Sequence, residues 1–211
     1  MNQRAVARLT SRLLSIVAML MLVPATLAFF DGDTDALSAY VTSAMLTLLV
    51  SAMLAYFGRG ASEELHRKDA IGTVALTWVL LGLFGGLPFV FEGSISHPAS
   101  AIFEAVSGFT TTGATVVADV DGLSRATNLW RCLSHWIGGM GIVVLFVAVF
   151  PTLGVGAKHL FKSEVSGPIT AGLRPKIKQT ALALWWIYGG LTVLCFALLW
   201  LAGMSPYDAA C

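Results

Sequence analysis

The sequence predicts an all-α transmembrane fold built from repeats of helix, re-entrant pore loop and helix. One complete repeat and the start of a second follow an N-terminal helix pair. Three observations predict this fold. Hydrophobic residues make up 56% of the chain and charged residues only 12%, against about 25% charged residues in soluble domains. Several apolar segments are as long as a bilayer is thick, and one shorter apolar segment lies between two of them.

Five segments approach the ~20 residues that carry a helix across ~30 Å of hydrocarbon. They are Leu13–Phe30, Tyr40–Tyr56, Ala70–Phe91, Leu129–Phe150 and Thr180–Gly203. The first also has the outline of a secretory signal peptide, with arginines before it and Thr26, Leu27 and Ala28 as a cleavage site. Its full spanning length and the further membrane segments behind it favour a retained helix.

A sixth apolar segment, Pro98–Phe109, is too short to cross the membrane. As a helix it rises only about 18 Å, at 1.5 Å per residue. Pro98 suits the first helical position, where its missing N–H costs nothing. This segment is predicted to enter the bilayer and return on the same face.

The distribution of charge predicts the orientation. Eleven of the thirteen Lys and Arg residues fall on one side of the predicted helices, which the positive-inside rule assigns to the cytoplasm together with the N-terminus. These are Arg4, Arg8, Arg12, Arg59, Arg67, Lys68, Lys158, Lys162, Arg174, Lys176 and Lys178. The alternation holds only if Pro98–Phe109 is re-entrant. No basic patch with interleaved aromatic residues is present, so nucleic acid is not an expected partner.

The predicted organisation has three parts. Residues 1–62 form the helix pair, 63–155 the first helix, pore loop and helix, and 156–211 a cytoplasmic linker with the first helix of a second unit. A short internal echo supports the repeat, because Pro98 and Pro206 both follow a long apolar helix and an outer loop. The chain is therefore expected to be a fragment of a longer repetitive protein.

The loop after the short helix is the predicted ion path. Thr110, Thr111, Thr112, Gly113 and Ala114 offer carbonyl and hydroxyl oxygens, which are the ligands that replace water around potassium in channels. Irregular backbone at membrane depth is tolerated only inside protein or along a watery path. The alternative is an ordinary loop rich in Ser and Thr.

Three ionisable residues are candidates for support of this loop. Glu104 lies within the short helix, and Arg131 and His135 share a face of the next helix. Arg131 and His135 could each pair with Glu104 or with loop carbonyls. The alternatives are a partly wet carboxylate, a histidine bonded to a backbone carbonyl, and Trp130 as a residue of the membrane-interface belt.

No enzyme is predicted. The four histidines are far apart, neither a G-x-S-x-G nor an H-E-x-x-H motif is present, and no organic cofactor is expected. The cysteines are scattered and offer no C-x-x-C metal pair: Cys132, Cys195 and Cys211.

Two motifs resemble a known family. F-E-A-V-S-G-F-T-T-T-G-A-T at 103–115 and W-R-C-L-S-H-W-I-G-G-M-G-I-V-V-L at 130–145 are similar to the Trk/Ktr/HKT superfamily of potassium-uptake proteins, most of all to its TrkH type. The resemblance implies four helix, loop and helix units around one pore. It maps the potassium ligands onto Thr111 and Thr112, with Gly113 as the filter glycine. It also implies an inner-membrane homodimer and a cytoplasmic nucleotide-binding regulatory subunit, for which 158–178 is a candidate contact.

Two functions remain open from the sequence. The first is potassium uptake through a path lined by this loop. The second is a polytopic membrane fragment that only packs or assembles, because this chain holds one complete unit of the four.

Overall fold

The structure, a computed structural model, describes residues 2–61, 67–153 and 173–211. The described residues form helices, turns and loops, with no strand among them. The helices are α1 Gln3–Leu20, α2 Leu22–Asp31, α3 Thr34–Phe57, α4 Arg67–Gly85, α5 Leu87–Glu92, α6 Pro98–Phe109, α7 Arg125–Leu153, α8 Leu173–Leu201 and α9 Pro206–Ala210. Two compact units divide the chain, Met1–Trp136 and Ile137–Cys211.

Four stretches of the described chain are long and apolar enough to cross a membrane: Gln3–Asp31, Thr34–Phe57, Ile71–Glu92 and Ala181–Leu201. Each overlaps one predicted span. The remaining predicted span, Leu129–Phe150, lies within α7, which is one 29-residue helix. The predicted domain boundaries near 62 and 155 and the basic segment 158–172 lie outside the described residues, so these expectations stay predictions.

The first helix begins ten residues before its predicted start at Leu13. The Asn2 side chain accepts a hydrogen bond from the Ala5 N–H at 3.2 Å and caps α1. The three arginines expected before the helix, Arg4, Arg8 and Arg12, therefore lie within its first turns. Hydropathy marks where a helix meets lipid, whereas the helix itself extends as far as its backbone is capped.

Two of the spans are interrupted at a proline. Met21 separates α1 from α2 three residues before Pro24, and Gly86 separates α4 from α5 two residues before Pro88. A proline has no N–H for the carbonyl four residues back, which bends or breaks a helix at that point. Both stretches remain long enough to span.

Small and polar side chains join the N-terminal helix pair. The Ser15 and Ser51 hydroxyls lie 2.7 Å apart, and the Ser51 hydroxyl donates to the Ser11 carbonyl at 2.7 Å. Small residues let transmembrane helices approach closely, and hydroxyls bond across the contact. This pair is thus a packed unit ahead of α4.

The short helix α6 has the bounds that the sequence predicts, and it packs on α4 and α5 at glycines. A Cβ on Gly82 would lie 2.6 Å from Cγ2 of Val106, and one on Gly85 would lie 2.5 Å from Cε2 of Phe109. A Cβ on Gly86 would meet backbone atoms of Ala101 at 3.0 Å. α6 therefore packs against glycines of α4 and the glycine before α5, where a larger residue would collide with it.

In the second unit, α8 is followed by the short α9. Pro206 opens α9, and the Ser205 hydroxyl accepts from the Asp208 N–H at 3.1 Å as its cap. The start of α9 at Pro206 matches the start of α6 at Pro98, as the internal echo predicts.

Candidate functional site

The C-terminal end of α6 turns directly into the threonine-rich loop. The Thr111 N–H bonds to the Gly108 carbonyl at 2.9 Å, and the Thr112 N–H bonds to the Ser107 carbonyl at 3.0 Å. This pair of bonds is the Schellman motif, in which the residue after the cap takes a left-handed conformation. That residue is usually glycine, but here it is Thr111, with φ 57°.

The left-handed backbone of Thr111 is costly. A β-branched residue at positive φ is an outlier, and the left-handed conformation costs roughly 1–2 kcal/mol for a residue with a Cβ. Gly113 also has a positive φ of 77°, which glycine adopts without penalty. Within the described residues, Thr111 is the one non-glycine with positive φ. Such strain is found at functional sites more often than elsewhere.

The hydrogen bonds of the loop fix the direction of its first carbonyls. The N–H groups of Thr110, Thr111 and Thr112 all bond back to carbonyls of α6, at 2.9, 2.9 and 3.0 Å. In a trans peptide the C=O points opposite to the following N–H, and the described chain has no cis bond. The carbonyls of Thr110 and Thr111 therefore point away from α6.

Loop oxygens are left without protein donors. Within the described part of the chain, no hydrogen bond reaches the carbonyl oxygens from Thr110 to Gly113. The Thr110 hydroxyl donates to the Val106 carbonyl and lies 2.7 Å from the Thr112 hydroxyl. The loop thus presents a run of oxygen acceptors, which suits a dehydrated alkali cation.

A buried ion pair holds the end of the loop, at Thr115 and Val116. Oε1 of Glu104 lies 2.8 Å from Nε of Arg131, and Glu104 is only 4% exposed. The same carboxylate accepts from the Thr115 hydroxyl and from the Val116 N–H, each at 3.0 Å. Nη2 of Arg131 reaches the Thr115 hydroxyl at 3.3 Å. The structure therefore brings Glu104 and Arg131 together beside Thr115 and Val116 of the loop.

His135 has a different partner. Its Nδ1 lies 2.8 Å from the carbonyl oxygen of Arg131 and bonds within α7. This contact is the alternative that the sequence left open for His135, a histidine bonded to a backbone carbonyl. The structure does not bring His135 to Glu104.

The contacts of two residues of the site were not predicted from the sequence. Ser107 is buried in α6, and its hydroxyl donates to the Ala114 carbonyl at 2.5 Å. Its signal was its place three residues after Glu104, on the same helix face. The second residue is Trp130, whose Nε1 donates to the Gly85 carbonyl at 3.0 Å.

Trp130 is not a membrane-interface residue. Its side chain is fully buried, because it lies edge to face against Phe109 at 6.0 Å and against Tyr40 at 6.4 Å between ring centres. The belt position considered for it is therefore wrong. The ring lies between Tyr40 of α3, Phe109 of α6 and Gly85 of α4.

A polar cluster joins three helices beside this ring. The carboxylate of Glu92, at the end of α5, accepts from the hydroxyls of Ser124 and Thr127. The Thr127 hydroxyl also lies 3.1 Å from the Tyr40 hydroxyl on α3. The start of α7 is thus tied to the N-terminal helix pair.

Comparisons with known proteins agree with this architecture. A family model described as TrkH, cation transport protein, matches residues 36–210. The chain is 41% identical to the Trk system potassium uptake protein TrkH of Halomonas elongata and 39% identical to that of Escherichia coli K12, over 99% of this chain in both cases. It spans 44% of the length of each relative.

A solved structure is similar over the whole chain. The crystal structure of the potassium transporter TrkH from Vibrio parahaemolyticus matches with a TM-score of 0.84 and 38% identity. The match covers 100% of this chain and 42% of that one. The predicted all-α transmembrane fold is confirmed.

Proposed function

This chain belongs to the TrkH family of cation transport proteins, and we propose from that premise that the complete protein takes up potassium ions across the inner membrane. The family is one of transport proteins and not of enzymes. Because the chain spans under half of its relatives' length, this activity is proposed for the longer protein. The chain contributes one pore unit to it.

The direction of the loop carbonyls carries the proposal. Three consecutive N–H groups turn toward α6, so the carbonyls of Thr110 and Thr111 turn away from it. At the end of a helix that rises only about 18 Å, these oxygens would lie at membrane depth, where backbone oxygens need protein, water or an ion as a partner. A potassium ion is such a partner, because backbone carbonyls replace its hydration water in potassium channels.

The loop from Thr110 to Ala114 lines the ion path in this proposal. Thr111 and Thr112 are the direct potassium ligands, and the strained backbone of Thr111 keeps its carbonyl aimed at the ion. Gly113 supplies the second positive φ without strain. Glu104 and Arg131 support the loop from behind, and His135 stabilises the helix that carries Arg131.

The wider assembly follows from the resemblance. We propose a multi-pass protein with a cytoplasmic N-terminus, a homodimer, and a cytoplasmic nucleotide-binding regulatory subunit. The expected contact of that subunit, 158–178, carries five of the chain's thirteen basic residues. Potassium is the transported ion in this scheme, and no organic cofactor is invoked.

The test is rubidium uptake in a cell that lacks its own potassium uptake. The complete reading frame that carries this sequence is expected to restore uptake, and Gly113→Asp in the same frame is expected to abolish uptake or broaden its selectivity while membrane insertion is kept. The 211-residue chain alone is the parallel arm. Unchanged uptake and selectivity in Gly113→Asp would remove this loop from the ion path, and no uptake by the complete protein would favour a packing role.

A second arm tests the re-entrant topology. Single cysteines at Ser96 and at Asp121, on the two sides of α6 and its loop, are expected to react with an impermeant thiol reagent from the same face of the membrane. Cys132, Cys195 and Cys211 are replaced first, since Cys132 is partly exposed and the other two are exposed. Labelling from opposite faces would contradict the pore loop.

A further inference from the structure

Ser107 bonds to the threonine-rich loop at two points. Its backbone carbonyl accepts from the Thr112 N–H at 3.0 Å, and its side-chain hydroxyl donates to the Ala114 carbonyl at 2.5 Å. Ser107 itself is 4% exposed, so its own atoms in these bonds are shielded from water. The Ser107 side chain thus fixes the peptide group between Ala114 and Thr115.

The Ala114 carbonyl faces the opposite way from the carbonyls of Thr110 and Thr111 at the start of the loop. Its carbonyl points toward Ser107 and α6, whereas those of Thr110 and Thr111 point away. Because this peptide is trans and its carbonyl points toward α6, the N–H of Thr115 points away from α6. A backbone N–H carries partial positive charge and repels a cation.

We propose that Ser107 is a positioning residue that ends the run of ion-facing carbonyls at Gly113. Its hydroxyl holds the Ala114 carbonyl against α6 and so presents an N–H, not an oxygen, at the next position along the path. This inference rests on the proposed function and deepens it. The number of oxygens around the ion is then limited by a side chain behind the loop.

The anchoring continues past Ala114 on the same face of α6. Glu104, three residues before Ser107, accepts from the Val116 N–H at 3.0 Å and from the Thr115 hydroxyl. Both side chains are 4% exposed. Ser107 and Glu104 therefore hold successive residues of the loop. Of the two, only Ser107 donates to a loop carbonyl, so its hydroxyl decides which way the Ala114 carbonyl faces.

Ser134 provides a matched control. It is also a buried serine at the contact between α6 and α7, 2% exposed and beside Gly108. Its hydroxyl donates to the Arg131 carbonyl within its own helix at 2.7 Å. Removing it changes packing near the loop but frees no loop carbonyl.

The experiment measures rubidium uptake and its inhibition by sodium in the complete protein. In Ser107→Ala the Ala114 peptide is free to rotate and to add an oxygen to the path. The preference for rubidium over sodium is expected to fall about two- to tenfold, which corresponds to one ordinary hydrogen bond. Ser134→Ala is expected to keep the wild-type ratio, and Ser107→Cys, with its weak S–H donor, to fall in between.

The outcomes separate this inference from the proposed function. If wild type takes up rubidium and Ser107→Ala discriminates as well as Ser134→Ala does, the positioning role is overturned and potassium uptake stands. If wild type takes up no rubidium, both are overturned. If Ser107→Ala does not reach the membrane, the ratio of Ser107→Cys decides, because cysteine keeps the size of the side chain.

Discussion

Nε of Arg131 lies 2.8 Å from Oε1 of Glu104. The two residues are 27 positions apart in the sequence, and their contact joins α6 to α7. The carboxylate is almost fully buried, and the arginine side chain is 13% exposed. Glu104 also accepts from Thr115 and Val116, so its oxygens are shared between a cation and the loop. The pair is therefore a connection between the loop and α7 as well as between two charges.

Glu104→Ala is expected to destabilise the protein strongly. Breaking a buried ion pair leaves the other charge uncompensated and costs about 3–5 kcal/mol. The measurement is thermal unfolding of the complete protein in detergent. Asp31→Asn is the control, because it removes the charge from the exposed Arg125–Asp31 pair, which is 2.7 Å long and is expected to be worth at most about 1 kcal/mol. Equal losses in the two variants would contradict the buried role of Glu104.

Thr111→Gly is expected to separate stability from selectivity. Glycine removes the strain of the left-handed backbone but loses chain entropy, so a net gain of about 0.5–1 kcal/mol is expected. The lost hydroxyl and the freer backbone are expected to lower the preference for potassium over sodium. Thr111→Ser keeps both hydroxyl and strain and serves as the control. A glycine variant with unchanged selectivity would show that the strain has no part in ion binding.

Gly108→Ala is expected to disturb the contact between α6 and α7. A Cβ on Gly108 would overlap Oγ of Ser134, and overpacking of this kind costs about 1–3 kcal/mol. Gly108→Ala combined with Ser134→Ala is expected to recover part of that loss, since the overlapping atom is gone. A double-mutant cycle of unfolding free energies measures the coupling. Strict additivity would mean that the two residues do not touch.

Trp130→Phe is expected to cost about 1–3 kcal/mol, because the buried Gly85 carbonyl loses its donor. The effect is measured by thermal unfolding and by rubidium uptake in the same preparation. Trp186→Phe is the control, since Trp186 is 81% exposed and its change is expected to stay within about 0.5 kcal/mol. A loss no larger than that of Trp186→Phe would show that the hydrogen bond from Trp130 to Gly85 does not stabilise the protein.

The elements that local chemistry determines were predictable from the sequence. The bounds of α6 are confirmed, because Pro98 suits a first helical position and the threonines follow the last apolar residue. The start of α1 was misplaced because hydropathy does not register a polar but capped first turn. Long apolar helices were located by length alone, which needs no knowledge of their neighbours.

The contacts between distant segments were harder to predict. The partners of Trp130 are Gly85, Phe109 and Tyr40, which lie 45, 21 and 90 positions before it, so its burial has no local signal. The pairing of Arg131 with Glu104 was one of several options because spacing identifies a helix face but not the side chain opposite. The bond from Ser107 to Ala114 depends on how the loop folds back, which composition does not encode.

The bond between Tyr40 and Thr127 ties the first helices to the start of α7. Thr127 and Tyr40 are both fully buried, and Thr127 also donates to Glu92. A chain that started at α4 would leave the Thr127 hydroxyl short of one neighbour, one helical turn before Arg131. The N-terminal helix pair therefore holds the first turn of α7 in place, and removal of that pair would take away the contact of this turn with α3.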